Sequence, residues 1–522
     1  MWNPLKKTKI YNLYVICATA SIGGLLYGID VASMSAVIGT AAYKSAFGHP
    51  VSHRQGSIVA AMPGGSFFGA VVSSHIADRF GRRIAIQAAC TIWIFGTIVS
   101  CFAGTAESLI VGRAISGFAV GISSSVVPIY QAEMATKANR GRVISFHQWA
   151  VTWGVLIQFL IQYGFSQMDG GPLNPHQSSM TFRLPWALQT IPAVVLFIMM
   201  YFLPESPRWF AVKDNWTESI NVLTKVHGGG NVNHTSVLAE FRQIERSLED
   251  DEGSSYAALI DSRMISRVIL GVSIQSWAQL SGIVILMSYI VLIMETTGVR
   301  DPLLAASAQF LISVVLTIPA FMMLDKYGRR PALLVGSAFM MVWLIATGCL
   351  QGIFGKKNPH TNPEYDDITW VMDNKHAGRA VMACLYLFIA TYAMTWGPVS
   401  WVYPSEIFPS RLRAKAVSVA TAFAWVFNFL FAYAVPTLLW YINYKTYFIF
   451  AGFNLVAFIH MFMTAPETKG MSLEDMDAVF ASGRRPWSHY RAGSHLDDIV
   501  GSVEGEDQDR QQAGAQASGE TR

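Results

Sequence analysis

One carboxylate and one guanidinium stand in segments that otherwise avoid charge. Asp30 closes Gly23-Gly-Leu-Leu-Tyr-Gly28-Ile-Asp30, inside an apolar run that continues to about Val37. Arg113 lies in Val111-Gly-Arg-Ala-Ile-Ser-Gly117, inside another. An ionised side chain within a membrane helix is costly unless it is neutralised or paired, so Arg113 is the natural partner of Asp30. A carboxylate that alternates between an ion pair and its protonated form couples proton movement to a conformational change. A static buried ion pair is the plainer reading of the same residues.

A second set of charges repeats. Asp78-Arg-Phe-Gly-Arg82-Arg83 has its counterpart in Asp325-Lys-Tyr-Gly-Arg329-Arg330. Glu133 precedes Arg140 by seven residues, and Glu406 precedes Arg413 by seven. Pro204-Glu205 and Pro466-Glu467 close the two series. Three signals in one order predict two duplicated halves, and transporters built this way bind substrate between the repeats, near the midplane. The arginines can pair with Glu133, Glu205, Glu406 and Glu467 and hold the two halves together in one state of a two-state latch. Alternatively they are solvated loop charges that only set topology.

These residues need elements to position them, and the composition says which. Of 522 residues, 52 % are hydrophobic and only 14 % charged, where a soluble domain is nearer a quarter charged. A soluble enzyme, a disordered chain and a nucleic-acid binder are thereby excluded. A bilayer-spanning helix takes ~20 apolar residues. Such segments fall at about 10–37, 57–77, 85–104, 108–130, 144–166, 183–203, 266–294, 303–324, 332–352, 380–403, 412–437 and 446–464. The first is too long for a signal-peptide core. The expected fold is all-α: twelve transmembrane helices in two six-helix halves, 1–203 and 263–482. A polar linker with short amphipathic helices spans 204–262, and a Gly/Ser/Gln-rich disordered tail spans 483–522.

Loop charges orient the chain. Lys6, Lys7, Lys9, Arg79, Arg82, Arg83, Lys137, Arg140, Arg142, Lys326, Arg329, Arg330, Arg411, Arg413 and Lys415 fall on one side of a twelve-span topology. The other side is poorer in base, apart from the long loop 353–379. The positive-inside rule places both termini in the cytoplasm, and the sequons at Asn215 and Asn233 with them. The five cysteines (Cys17, Cys90, Cys101, Cys349, Cys384) lack metal-ligand spacing and read as small buried hydrophobes. No nucleophile–base set or phosphate-binding glycine loop is present, and His147, His376 and His460 join no motif. No enzyme activity, metal or cofactor is expected.

The repeated turns, Pro128-Ile-Tyr-Gln-Ala-Glu133, Pro204-Glu-Ser-Pro-Arg-Trp209 and Pro466-Glu-Thr-Lys-Gly470 together resemble the sugar porter family of the major facilitator superfamily over about residues 10–480. Ser33-Met-Ser-Ala36, Met62-Pro-Gly-Gly-Ser-Phe-Phe-Gly69 and Trp396-Gly-Pro-x-x-Trp-x-Tyr-Pro-Ser-Glu406 are similar to fungal high-affinity hexose–proton symporters. The resemblance implies sugar contact by Gln148, Gln279, Trp401, Asn428 with Trp425, and Tyr27; interhelical bonding and ordinary packing are the alternatives. It also implies proton coupling at Asp30, since symporters of the family carry Asp there and uniporters often Asn. Five positions depart from the family pattern: Ala278, Val284, Ser288, Ser313 and Ala424 replace polar or aromatic residues usual in the C-terminal half.

The function expected is a proton-coupled monosaccharide transporter, with a hexose as the expected substrate, in the plasma membrane. It would work as a monomer by alternating access, with sugar, protons and the bilayer as its partners. The departures motivate a same-fold transporter of another solute, such as a polyol. A non-transporting sugar sensor is the rival from a different class.

Overall fold

The computed structural model describes residues 9–480, excluding 51, 137–138, 169–170, 172–173, 175, 250–255, 263, 359–369, 410–411, 472–475 and 477–478. The expected tail and the charges of Lys6, Lys7, Lys137 and Arg411 lie outside the described residues.

Among the described residues, twelve helices are long and apolar enough to cross a bilayer. The first six are α1 (Leu13–Ser35), α2 (His53–Phe80), α3 (Arg82–Cys101), α4 (Ala106–Met134), α5 (Arg140–Ser166) and α6 (Met180–Met199). The second six are α7 (Ile265–Ser288), α8 (Pro302–Tyr327), α9 (Arg329–Phe354), α10 (Lys375–Ile407), α11 (Arg413–Tyr441) and α12 (Lys445–Thr464). Large apolar side chains such as Phe68, Phe95, Ile191, Met322 and Ile353 are exposed, as befits a surface that meets lipid. The chain is a multi-pass membrane protein. Lipid also explains a departure from expectation. Cys17 and Cys90 are buried, but Cys101 and Cys384 are only half-buried and Cys349 is exposed, because an apolar stretch need not face the core when the solvent is itself apolar.

Between lipid-soluble helices the hydrophobic effect offers little drive, so close backbone approach must hold them. Gly65 and Gly69 of α2 face the Ala114 and Phe118 carbonyls of α4, and Gly117 and Gly121 of α4 face Met62 and Ser66. No Cβ fits at these four positions. Each helix therefore presents a small-x-x-x-small ridge to the other.

Helix ends are held by side chains. Asn12 caps α1 by accepting from Tyr14 N and Val15 N, and Thr105 with Ser108 forms a capping box on α4. The linker contains helices at Pro207–Val212, Trp216–His227 and Thr235–Glu249 and a 3₁₀ turn at Tyr256–Ile260. Asn215, one of the two sequon residues, caps the second of these. The loop after α9 carries a feature the sequence did not suggest: β1 (Gly355–Lys357) pairs antiparallel with β2 (Trp370–Met372).

Among the described residues three spans are interrupted, α6 only mildly at Gln189 (φ −61°, ψ −21°). In α7 the turn Gln279–Ile283 widens to π geometry and Gly282 takes φ 102°, a region open essentially to glycine. The Ser281 carbonyl at this turn accepts from Asn454 Nδ2 of α12 at 2.9 Å. In α10 the break falls at Thr395 (φ −127°, ψ −88°).

Candidate functional site

A cavity with about 710 Å³ of empty space lies between the halves. Tyr27 and Val31 of α1 and Gln148, Thr152 and Val155 of α5 line it from the first half. Gln279 of α7, Trp401 of α10 and Asn428 of α11 line it from the second. Five of the six residues expected at a sugar site therefore border one space; Trp425 does not line it. Two hydrogen bonds organise them. Trp401 Nε1 donates to Gln148 Oε1 at 2.9 Å, joining α10 to α5 across the halves. Asn428 Nδ2 donates to Gln279 Oε1 at 2.9 Å. The break in α7 begins at Gln279, so the widened turn sets where this amide projects. Tyr27 stands edge-on to Trp401 (6.4 Å) and to Trp425 (5.1 Å), and Trp425 Nε1 donates to Ser124 of α4 at 3.2 Å.

Of the five departures, Val284, Ser288 and Ser313 line the cavity. Ala278 and Ala424 do not; both are buried in helix packing. Tyr392 and Ser400 of α10 are lining residues that sequence reasoning missed. No sequence signal marked them, because the break at Thr395 resets the helix phase between the two positions. His147 is fully buried with its ring 5.0 Å from Trp401, and neither ring nitrogen has a hydrogen-bond partner.

Asp30 sits one helical turn from Tyr27. Arg113 Nη1 lies 3.1 Å from Asp30 Oδ1, and Ser116 Oγ donates to Asp30 Oδ2 at 2.8 Å. Arg113 also donates to Ser33 Oγ at 3.1 Å and to the Ile58 carbonyl at 3.1 Å. Both ionised groups are buried. The site can thus exchange a charged pair for a neutral acid while Arg113 keeps two other acceptors.

The repeated charges form two matching clusters at the end of the bundle where α2 meets α3 and α8 meets α9. Gly81 and Gly328 take φ 97° and 96°, and each turn points two backbone N–H groups at a buried or half-buried carboxylate. Glu205 accepts from Arg82 N (2.9 Å) and Arg83 N (3.1 Å). Glu467 accepts from Arg329 N (2.9 Å) and Arg330 N (3.1 Å). Arg82 forks onto Glu133 through two 3.0 Å bonds, and Arg329 Nη2 reaches Glu406 at 2.9 Å. Asp78 and Asp325 stand 3.5 and 3.8 Å from the same arginines. Tyr130 and Tyr403, each three residues before the Glu, donate to the Pro204 and Pro466 carbonyls.

Two pairs lie differently from the expected latch. Arg82–Glu133 and Arg329–Glu406 each join helices within one half, because the tight Gly81 and Gly328 turns hold each arginine over its own bundle. Contact between the halves here is made instead by Arg142 with Asp325 at 3.6 Å and by the Arg329 guanidinium against Gly141. The linker residue Tyr256 adds a bond to Ser74 of α2 and lies under Lys415 of α11. Arg413 is fully buried and donates to the Phe408 carbonyl; Arg140 is buried at the start of α5.

Residues 16–480 match the family model described as "Sugar (and other) transporter". The chain belongs to this family. It is 51 % identical over 496 residues to the MFS glucose transporter mfs1 of Aspergillus flavus, covering 94 % of each chain. It is 37 % identical to a high-affinity glucose transporter of Kluyveromyces lactis, over 92 % of this chain and 87 % of that one. Among solved structures, the proton:xylose symporter XylE bound to 6-bromo-6-deoxy-D-glucose superposes with TM-score 0.76 at 25 % identity, covering 90 % and 99 %. The sugar transporter described here thus shares the major facilitator fold, and its duplicated clusters are the two repeats of that fold.

Proposed function

We propose that this transporter carries a monosaccharide, with a hexose such as D-glucose as substrate, together with a proton, across the plasma membrane by alternating access. The observation that carries the reading is the Asp30–Arg113 pair one turn from an uncharged cavity of amides and aromatics. The names of the relatives support the substrate class, and the XylE fold supports the coupling.

A pyranose offers hydroxyls around its rim and an apolar face. Trp401 and Tyr27 supply the platform for that face. Gln148 and Gln279 each have their oxygen engaged by a neighbour, which aims their NH₂ groups at hydroxyl oxygens. The Trp401–Gln148 bond spans the two halves, so a sugar that inserts beside it is held by both. Protonation of Asp30 removes one charge of the buried pair and loosens α1 from α4. Deprotonation toward the other compartment restores the pair, and the protein can then reset. Gly282 and Thr395 are the hinge points of α7 and α10 in this cycle.

The termini face the cytoplasm in this reading. Residues 1–203 and 263–482 form the moving halves, 204–262 the strap between them, and 483–522 a cytoplasmic tail. Breaking of the Arg142–Asp325 contact opens the cytoplasmic side, while the clusters around Glu205 and Glu467 keep each half rigid. A monomer contains every part that the cycle needs.

Uptake of labelled D-glucose into proteoliposomes, with and without an inward proton gradient, tests the proposal. Gradient-driven accumulation is expected. Glucose equilibration indifferent to the gradient would remove the coupling. No glucose flux through folded protein would point to another solute, such as a polyol, with Val284, Ser288 and Ser313 as the positions that select it. Glucose binding without flux would mark a sensor.

A further inference from the structure

A second cavity, with about 570 Å³ of empty space including the part open to solvent, lies at the end of the bundle opposite the Gly81 and Gly328 turns. It shares no residue with the central cavity. Gln55, near the start of α2, borders it from the first half, and all other lining residues come from the second. No charged side chain is among the described lining residues, which suits a neutral ligand.

Three features show a built site. Trp370 of β2 packs against Tyr444 with ring centroids 5.3 Å apart, and its Nε1 donates to the Gln351 carbonyl at 3.0 Å, fixing the indole. Gly355 lies so close beneath that indole that no Cβ fits there. Gln55 is 1 % exposed; its Oε1 accepts from Tyr43 at 3.1 Å, and its Nε2 is buried with no partner. A buried amide donor without an acceptor is unfavourable, and an incoming hydroxyl oxygen would satisfy it. Aromatic rings with an unspent amide donor and no charge are the means by which a protein takes up a ring that has one apolar face and a hydroxylated rim.

We propose that this pocket is a second carbohydrate site, taking a neutral pyranose or its glycoside. Because Gln55 belongs to one half and Trp370 and Tyr444 to the other, the occupant bridges the halves and favours the arrangement in which this end is closed. The proposal does not rest on the transport reading: a carrier of another solute would keep this pocket.

The test uses the full chain in nanodiscs free of glycoside detergents, whose pyranose heads would compete. The probe is a phenyl β-D-glucopyranoside bearing a photoreactive diazirine on the ring, with labelled peptides mapped by mass spectrometry. Label is expected at 436–447 or 370–372, reduced at least tenfold by excess phenyl β-D-glucopyranoside. It should fall at least fivefold in Trp370→Ala and in Gln55→Met, while label near Trp401 is unchanged. Should Trp370→Ala fail to fold, Gln55→Met, which preserves shape, decides alone. Label confined to the central cavity, label that excess glucoside does not displace, or label indifferent to both variants overturns the proposal. Loss of label near Trp401 alone would instead count against sugar in the central cavity and leave this site standing.

Discussion

At the scale of single residues, the proposed roles fall on the buried Asp30–Arg113 pair and on the cavity amides. Asp30 holds Arg113 at 3.1 Å and accepts from Ser116, so both its oxygens are engaged and the side chain is positioned. Asp30→Asn keeps the size and the Ser116 contact but fixes the site in an uncharged state. Uphill uptake is expected to vanish while sugar exchange at equal concentrations persists. Concentrative uptake by this variant at the parental level would end the coupling assignment. For the sugar, Gln279→Ala removes one amide and strands Asn428 Nδ2, which now donates to it. A hydrogen bond contributes about 0.5–1.5 kcal/mol net, with more lost where a partner is left unsatisfied. The expected result is a rise in KM for D-glucose of roughly tenfold, at 1.4 kcal/mol per decade. Initial-rate uptake measures it, and an unaltered KM would move the sugar away from α7.

At the scale of elements, glycine turns set where helices break. Gly282 at φ 102° lies beside Phe450 of α12, with room for a Cβ only at 3.3 Å. Gly282→Ala forces an L side chain into the left-handed region, at a cost of about 1–2 kcal/mol. The variant is expected to melt several degrees lower and to transport slowly, as thermal unfolding in nanodiscs and uptake would reveal. The Gly81 turn has a different consequence. Burial pushes the Glu205 carboxyl above its ordinary range, against the N–H groups of Ser206, Arg82 and Arg83 that favour its charge. A folded state that holds its proton more tightly than the unfolded chain is helped most below the unfolded pKa, about 4.3. That help is lost as pH rises through the folded value. Glu205→Gln is neutral at every pH, so the melting temperature of the parent should decline relative to this variant as pH climbs above about 4.3. Parallel melting curves would show that Glu205 does not titrate in this window.

At the scale of the molecule, stability and switching belong to different contacts. Arg82 with Glu133 and Arg329 with Glu406 are buried pairs inside one half each, and removing one member of a buried pair costs about 3–5 kcal/mol. Arg82→Ala is therefore expected to lower the melting temperature and the yield of folded protein. Arg142 and Asp325 meet across the halves at 3.6 Å in a more exposed setting, where a pair contributes about 0–1 kcal/mol. Arg142→Ala should leave the melting temperature within a degree or two but raise the accessibility of cysteines placed between α5 and α8. Equal destabilisation by both variants would erase the distinction.

The sequence alone determined the twelve spans, the duplication and the family, because membrane helices are written as long apolar runs and the repeated turns keep their residues in order. It marked Asp30 and Arg113 because charge in such runs is conspicuous. It did not determine contacts. That Arg82 turns into its own half, that Tyr392 and Ser400 join the cavity while Ala278 and Ala424 leave it, and that Trp370 folds over Tyr444 were decided by tertiary structure. The physical reason is one of phase and reach. A helix of 3.6 residues per turn changes its facing at each break, as at Gly282 and Thr395, and a lipid-facing surface is as apolar as a core. Neither pattern nor composition therefore says which side of a span looks inward.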